Sequence, residues 1–289
     1  MVYQFPPGVF APGAYVINFS FNLPEKLPSS INSHIKDVRE RPKAKIKYFV
    51  KAKVTGFDSS DNMKYKQVLV VREPPVALKI GEQQQETSQI TTWCCVDQGT
   101  SAMWSAFEKN VFTPQDVAKA MINVDNSKCT LNVTTVKFFI EQRLTVRDRG
   151  FGSHSYTMTR KLVERSMEGP KFGQGGWQTE MLMDLGAIRY DVPQFKKKHG
   201  VQKPVSPEDA FMLAGVQSAV HSEYVTNDYF LCIELAYDGC TCCSNLPDSR
   251  MPITIVPIVD PRCFGFTSPD GWAPMDLGGF NFQLNYYPY

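Results

Sequence analysis

Val133-Thr134-Thr135-Val136-Lys137-Phe138-Phe139-Ile140-Glu141-Gln142-Arg143-Leu144-Thr145-Val146 alternates apolar and polar residues along most of its length. Successive side chains of an extended chain point to opposite faces, so a period of two marks a strand with one dry and one wet side. Working toward the N-terminus, Lys119–Val124 reads as a second strand and Trp93–Phe107 as a strand or hairpin. On the other side, Tyr229–Tyr237 and Ile253–Val259 complete the series, with Pro and Gly in the gaps. This spacing suits a β-sandwich better than any α/β arrangement.

Strand signals also precede this block. Tyr15, Ile17, Phe19 and Phe21 recur at every second position. Lys45–Val54 largely alternates lysine with apolar residues, as an antiparallel strand with one wet face should. Lys66–Val71 reads as a third strand. The polar, glutamine-rich run from Glu73 to Gln89, with its Pro74-Pro75 pair, reads as a connection between domains. The expected plan is a partial sandwich over residues 1–78 and a linker over 79–92. A full sandwich follows over 93–259, and an aromatic tail over 260–289 ending in Tyr286-Tyr287-Pro288-Tyr289. Residues 147–200 look least regular and are expected to form a partly ordered insertion, its Lys196-Lys197-Lys198 run a solvated face. The best helix signal is Ser206-Pro207-Glu208-Asp209, with a capping Ser and a first-turn Pro, running to about Gly215.

Composition narrows the function classes. The chain has 289 residues, 43% hydrophobic and 21% charged, with a net charge of +2. A nucleic-acid binder would normally carry a strong basic excess. No apolar run approaches the roughly 20 residues that span a bilayer, and no signal peptide is expected at the N-terminus. The 8 cysteines are therefore expected to be reduced thiols in a cytoplasmic protein. Asn18-Phe19-Ser20 and Asn132-Val133-Thr134 match the glycosylation triplet, but both fall in apparent strands and read as chance.

Searching for catalytic chemistry returns little. Gly173-Gln174-Gly175-Gly176-Trp177 lacks the Lys-Ser/Thr ending and preceding strand of a phosphate loop. His34, His154, His199 and His221 are scattered, with no Cys, Ser or carboxylate at relay spacing. No catalytic residue and no organic cofactor is expected. The cysteines stand apart: Cys94-Cys95 opens the second sandwich, and Cys240, Cys242 and Cys243 lie in the hairpin before its last strand. In a closed sandwich these two places would be neighbours, and four or five thiolates there would suit a structural zinc ion. The alternative is two separate sets of buried or edge thiols.

Two separated runs carry a family resemblance. The first is Pro12-Gly13-Ala14-Tyr15-Val16-Ile17-Asn18-Phe19-Ser20-Phe21-Asn22-Leu23-Pro24, followed by Leu27-Pro28-Ser29-Ser30-Ile31 and a Tyr48-centred strand. The second begins at Gly99 and Glu108-Lys109 and passes through Val111-Phe112-Thr113-Pro114-Gln115-Asp116. It then reaches Val124-Asp125-Asn126-Ser127, Phe139-Ile140-Glu141-Gln142 and Met251-Pro252-Ile253-Thr254-Ile255. In order and spacing these resemble the motifs of the arrestin family, nearer to the alpha-arrestins than to the visual arrestins. The resemblance implies an all-β chain of two immunoglobulin-like, arrestin-type β-sandwiches, the first partial. It also implies a non-enzymatic adaptor or scaffold linking membrane cargo or receptors to trafficking or signalling machinery.

Physically the shared motifs are turn and edge devices, so they speak for the fold, and function needs its own argument. The early strands of an amino-terminal arrestin domain have no counterpart, so no phosphate-sensing residue carries over. Pro6-Pro7-Gly8-Val9 and Pro74-Pro75-Val76-Ala77 both lack the tyrosine of a ligase-recruiting Pro-Pro-x-Tyr motif. A half-sandwich leaves strand edges open, which points either to further sequence upstream or to strand addition by another chain at residues 1–78. The competing expectation is a structural subunit of a large ciliary or cytoskeletal assembly. Expected partners are proteins, namely cargo tails or assembly subunits. Nucleic acid is not expected, and peripheral association with endomembranes is compatible with the reading.

Overall fold

A computed structural model describes residues 13–34, 43–54, 62–93, 95–147, 155–189, 195–198, 201–204, 215–241, 245–258 and 275–282. The strands, in chain order, begin with β1 (Tyr15–Phe21), β2 (Ile31–His34), β3 (Lys43–Ile46), β4 (Tyr48–Val54) and β5 (Met63–Leu69). Then come β6 (Ile80–Thr92), β7 (Val96–Lys109), β8 (Val111–Phe112), β9 (Val117–Cys129) and β10 (Val133–Arg147). These are followed by β11 (Ser155–Met167), β12 (Trp177–Asp184), β13 (Phe195–Lys198) and β14 (Val201–Pro204). The last are β15 (Val220–His221), β16 (Val225–Tyr237), β17 (Asp248–Ile255) and β18 (Met275–Phe282). A single 3-10 turn, Leu185–Ala187, is the only helical element among the described residues. The fold is all-β and built on a sandwich, as the alternating patterns require.

The sandwich has one sheet in the order β11-β10-β16-β17-β8, with β15 on β16, and a second in the order β12-β9-β7-β6. Val136, Phe138 and Ile140 of β10 point inward beside Tyr229, Leu231, Ile233 and Leu235 of β16. From the facing sheet come Met103 and Phe107 of β7, Ala120, Ile122 and Val124 of β9, and Met183 of β12. Each large side chain so buried contributes about 1.5–3 kcal/mol relative to exposure. The pattern of period two therefore decides which face each strand turns inward, because a one-residue slip would expose the whole set.

Several expectations are corrected. The glutamine-rich stretch read as a linker is strand β6, paired with β7 from Ile80↔Lys109 to Thr92↔Val96. At a sheet edge a strand can be polar on its outer face and still bury Ser88, Ile90 and Thr92 at one end. The supposed insertion contains β11 and β12, both paired into the sandwich. Trp177, Thr179, Met181 and Met183 alternate inward, a period hidden by the flanking glycines. Asp125-Asn126-Ser127, expected as a turn, lies inside β9, where the register with β7 shifts. Its local bond survives, with the Ser127 N–H donating to Asp125 Oδ1 at 3.0 Å. The long strand expected over 45–54 is broken at Lys47 into β3 and β4. The expected helix near 206 and the tail's Tyr286–Tyr289 end lie outside the described residues, whereas Met275–Phe282 is strand rather than tail.

The chain divides into two compact units, residues 1–27 with 261–289, and Pro28–Asp260. In the first, β1 and β18 pair in parallel, from Tyr15↔Met275 to Phe21↔Phe282. In the second, the β2–β3 pair and the residues just before it dock on the sandwich. Ala44 of β3 packs with Leu144, Met158 and Val225. The Asn32 N–H donates to Gln217 Oε1 at 3.0 Å, and Ser218 Oγ donates to the Ser30 carbonyl at 2.5 Å.

Candidate functional site

The β4–β5 hairpin has two chemically different faces. The register pairs Phe49 with Val68, Lys51 with Lys66 and Lys53 with Lys64 on one side. On the other it pairs Tyr48 with Leu69, Val50 with Gln67, Ala52 with Tyr65 and Val54 with Met63. At the root, the Tyr48 hydroxyl donates to the Pro28 carbonyl at 2.8 Å and anchors the hairpin to the body. Toward the tip both faces are open, with Met63 at 66% and Tyr65 at 67% exposure. Four lysines thus form two like-charged cross-strand pairs, and among the described residues no carboxylate is paired with them across the strands. Lys66 sits over the Phe49 ring, 3.4 Å from its centroid, a cation–π contact that fixes one of the four ammonium groups. Neither β4 nor β5 has a second strand neighbour among the described residues, so each offers an open edge. The described part of the hairpin therefore combines open strand edges with a basic face and an exposed apolar face.

A second cluster fixes the segment that carries the hairpin. The Glu73 carboxylate accepts from the Ser29 N–H at 3.1 Å and from the His221 N–H at 2.7 Å. The His221 ring lies between Glu73 Oε2, 2.9 Å from Nδ1, and Asp228 Oδ1, 3.0 Å from Nε2. Hydrogen bonds to Asp228 and then to Glu73 outweigh partial burial and push the imidazole up to about 10. Partial burial pushes the Glu73 carboxyl up, but the bonds from His221 and Ser29 reverse this and leave it below the ordinary carboxylate range. The sequence missed this trio because its members are far apart in the chain: 73, 221 and 228.

The predicted thiol ligands fall as follows. Cys95 is described and exposed, and Cys240 is described and half-buried. Cys94, Cys242 and Cys243 lie outside the described residues. The two cysteine-bearing turns meet: the Trp93 N–H donates to the Cys240 carbonyl at 3.1 Å. Among the described residues no group of three or more His, Cys, Asp or Glu side chains is arranged to hold a metal ion. Cys129 and Cys232 are free thiols buried within strands. Burial raises the Cys129 thiol, and burial with the nearby Glu141 carboxylate pushes Cys232 up to about 12, so both are poor nucleophiles. Among the described residues no helix is long and apolar enough to cross a membrane.

Residues 98–259 match the family described as "Arrestin (or S-antigen), C-terminal domain". That span contains every strand of the sandwich except β6 and the first residues of β7. A 128-residue stretch is 31% identical to arrestin domain-containing protein 5 of Bos taurus. The aligned stretch is 42% of this chain and 36% of the bovine protein, so the chain spans about a third of that relative's length. The sandwich of β6–β12 and β15–β17 is thus an arrestin C-terminal domain, and the chain belongs to the arrestin family.

Proposed function

We propose that this chain is a non-enzymatic protein-binding adaptor of the arrestin type, which links membrane cargo or receptors to trafficking or signalling machinery. The observation that carries the reading is the β4–β5 hairpin, which joins open strand edges to the Lys51, Lys53, Lys64 and Lys66 face. An extended acidic segment would add main-chain hydrogen bonds at an edge and satisfy the lysines with its carboxylates. Electrostatic matching of this kind raises the encounter rate and selects among partners more than it adds raw affinity. Family membership supports the same reading, since arrestin-domain proteins are generally adaptors rather than enzymes.

The test is affinity purification of the full chain beside the Lys51→Glu/Lys64→Glu variant. Substoichiometric capture of membrane-protein tails, lost in the variant and weakened by salt, is the expected result. Stoichiometric recovery of one fixed assembly by both proteins overturns the adaptor reading in favour of a structural subunit.

A further inference from the structure

We infer that the outer face of the β12-β9-β7-β6 sheet is a docking platform for a basic, proline-rich segment in the polyproline II conformation. The inference does not rest on the β4–β5 hairpin, which lies elsewhere in the fold. Its centre is one row that crosses all four strands, because the registers pair Gln85 with Trp104, Trp104 with Asn123 and Asn123 with Gln178. Burial alternates along these strands, with Met103, Ser105 and Phe107 of β7 and Ile122 and Val124 of β9 turned inward, so this row faces outward. Along β7 the same face carries Ala102 and Ala106 beside Trp104, so nothing larger than a methyl group flanks the indole. The next row pairs Ala106 with Met121, which is 40% exposed. Beyond it, opposite Lys119, lies Leu182 at 53%.

The outer face of the other sheet matches its own groups internally. There Lys161 lies 3.7 Å from the centroid of the Phe139 ring, which is 1% exposed, and donates to Glu234 at 3.1 Å. Arg250 lies 3.8 Å from the Phe230 centroid and pairs with Glu141. The platform lacks this closure. Among the described residues no cation covers Trp104, and the side-chain amides of Gln85, Asn123 and Gln178 make no hydrogen bond. Lys119 is paired with Glu180 at 2.6 Å, whereas Glu108 and Asp125 have no ion-pair partner among the described residues. A partner that complements this face brings carbonyls to the amides, an apolar ring to the indole and cations to the carboxylates.

Polyproline II meets all three demands. It has no internal hydrogen bonds, so its carbonyls are open to side-chain donors. A helix spends its carbonyls within itself, and a strand offers them along a sheet edge rather than to a sheet face. One polyproline II turn advances about 9.3 Å, and two inter-strand spacings span about 9.6 Å. Carbonyls one turn apart therefore fall over the Gln85 and Asn123 amides, with a proline ring between them on the Trp104 indole. Gln178 supplies a further donor one strand along the row. The segment is already extended and stiff when free, so little ordering entropy opposes docking. Its Arg or Lys residues reach Asp125, next but one to Asn123 along β9, or Glu108 farther along β7. An acidic segment, or a second copy of the same face, meets these carboxylates with like charge.

The experiment uses the full chain and a panel of synthetic proline-rich peptides carrying either arginine or glutamate at their ends, with strand-forming arginine peptides for comparison. Binding is read by titration calorimetry. Saturable binding of the arginine-bearing proline-rich peptides, weakened by salt, is expected. Trp104→Ala should weaken it by about tenfold or more, as loss of a central aromatic anchor does. Gln85→Ala/Asn123→Ala should weaken it severalfold with an unchanged melting temperature, which separates lost contacts from lost fold. Glu108→Lys/Asp125→Lys should turn the preference toward the glutamate-bearing peptides. Lys51→Glu/Lys64→Glu should leave the affinity unchanged, so the hairpin and the platform can fail separately. No binding across the panel, equal binding of the strand-forming peptides, or full affinity in Trp104→Ala overturns the inference. Self-association of the chain that Trp104→Ala abolishes also overturns it and assigns the face to a second copy.

Discussion

His221 and Glu73 are joined twice: the His221 backbone N–H donates to Glu73 Oε1 at 2.7 Å, and its ring Nδ1 lies 2.9 Å from Oε2. Asp228 holds the opposite ring nitrogen at 3.0 Å. The imidazole is raised from 6.5 to about 10, by the Asp228 bond first and the Glu73 bonds second. A group raised on folding stabilises fully below its unfolded value and loses that contribution as pH climbs to its folded value. The histidine's share is therefore complete below about 6.5, declines above that, and is gone beyond about 10. Glu73 is lowered, so its share is present above the ordinary glutamate value and fails as pH falls through its folded value. The His221 side chain is 55% exposed, so water screens the cluster, and His221→Gln should cost only about 1 kcal/mol at pH 6. Melting curves of both proteins should differ at pH 6 and converge near pH 10. A proton NMR titration should show a folded imidazole still charged at pH 8; a midpoint near 6.5 removes the clamp.

The hairpin lysines give stability and binding opposite signs. Lys53 faces Lys64 and Lys51 faces Lys66 across the strands. Like charges placed directly opposite are destabilising, on the scale of roughly 0.2–1 kcal/mol per pair. Lys53→Glu turns one repulsive pair into an attractive one, so amide exchange in β4 and β5 should slow by a few-fold. The same change should weaken capture of an acidic partner. Slower exchange with unchanged capture would mean that the lysine face does not contact the partner.

Glycine at 99 is demanded by geometry rather than by composition. Gly99 has φ of +92°, and a Cβ there would lie 1.9 Å from the Lys128 carbonyl oxygen. Two backbones meet at that point, so no side-chain rotation relieves the clash. Gly99→Ala should destabilise by several kcal/mol, of order 2–4, since both strain and displacement of β9 are involved. Gly81 has φ of +66° but nothing within 4 Å of its Cβ. Gly81→Ala should therefore cost only about 1 kcal/mol. Chemical denaturation of the two variants side by side separates clash from backbone strain.

What was legible in the sequence follows from the range of the forces involved. The alternation in Val133–Val146 and Tyr229–Tyr237 is local, and β10 and β16 extend over both runs. β6 and β12 carry only a weak local signal because edge strands bury one face incompletely, so Gln83, Gln85 and Gln89 sit on the wet side of β6 without harming the core. The Lys51–Lys66 and Lys53–Lys64 pairs depend on hairpin register, which neither strand specifies alone. The Glu73–His221–Asp228 trio spans most of the chain, and no local pattern announces it. Cysteine placement was readable because it is a matter of composition, and the Trp93–Cys240 bond brings the two predicted turns together.

The inside of the sandwich contains a polar network that its apolar neighbours make costly to disturb. Gln142 and Asn227 are buried at 1% and 0% exposure beside Tyr229, on paired strands. Gln142 Nε2 donates to Asn227 Oδ1 at 2.7 Å and to the Tyr229 hydroxyl at 3.1 Å. Asn227 Nδ2 donates to the Ser218 carbonyl at 2.7 Å and lies 3.0 Å from the same hydroxyl. Arg160 closes the set by donating Nε to Gln142 Oε1 at 2.8 Å. Replacing Asn227 by Ala would deprive the Ser218 carbonyl and the Gln142 amide of these bonds away from water, at about 1–3 kcal/mol for each group left unpaired. Asn227→Ala should thus lower stability by roughly 2–4 kcal/mol, a large fraction of a domain's margin, as read by urea denaturation. The double variant Asn227→Ala/Gln142→Leu removes both partners, so its loss should be smaller than the sum of the two single losses. Additive losses would show that the two amides do not depend on each other.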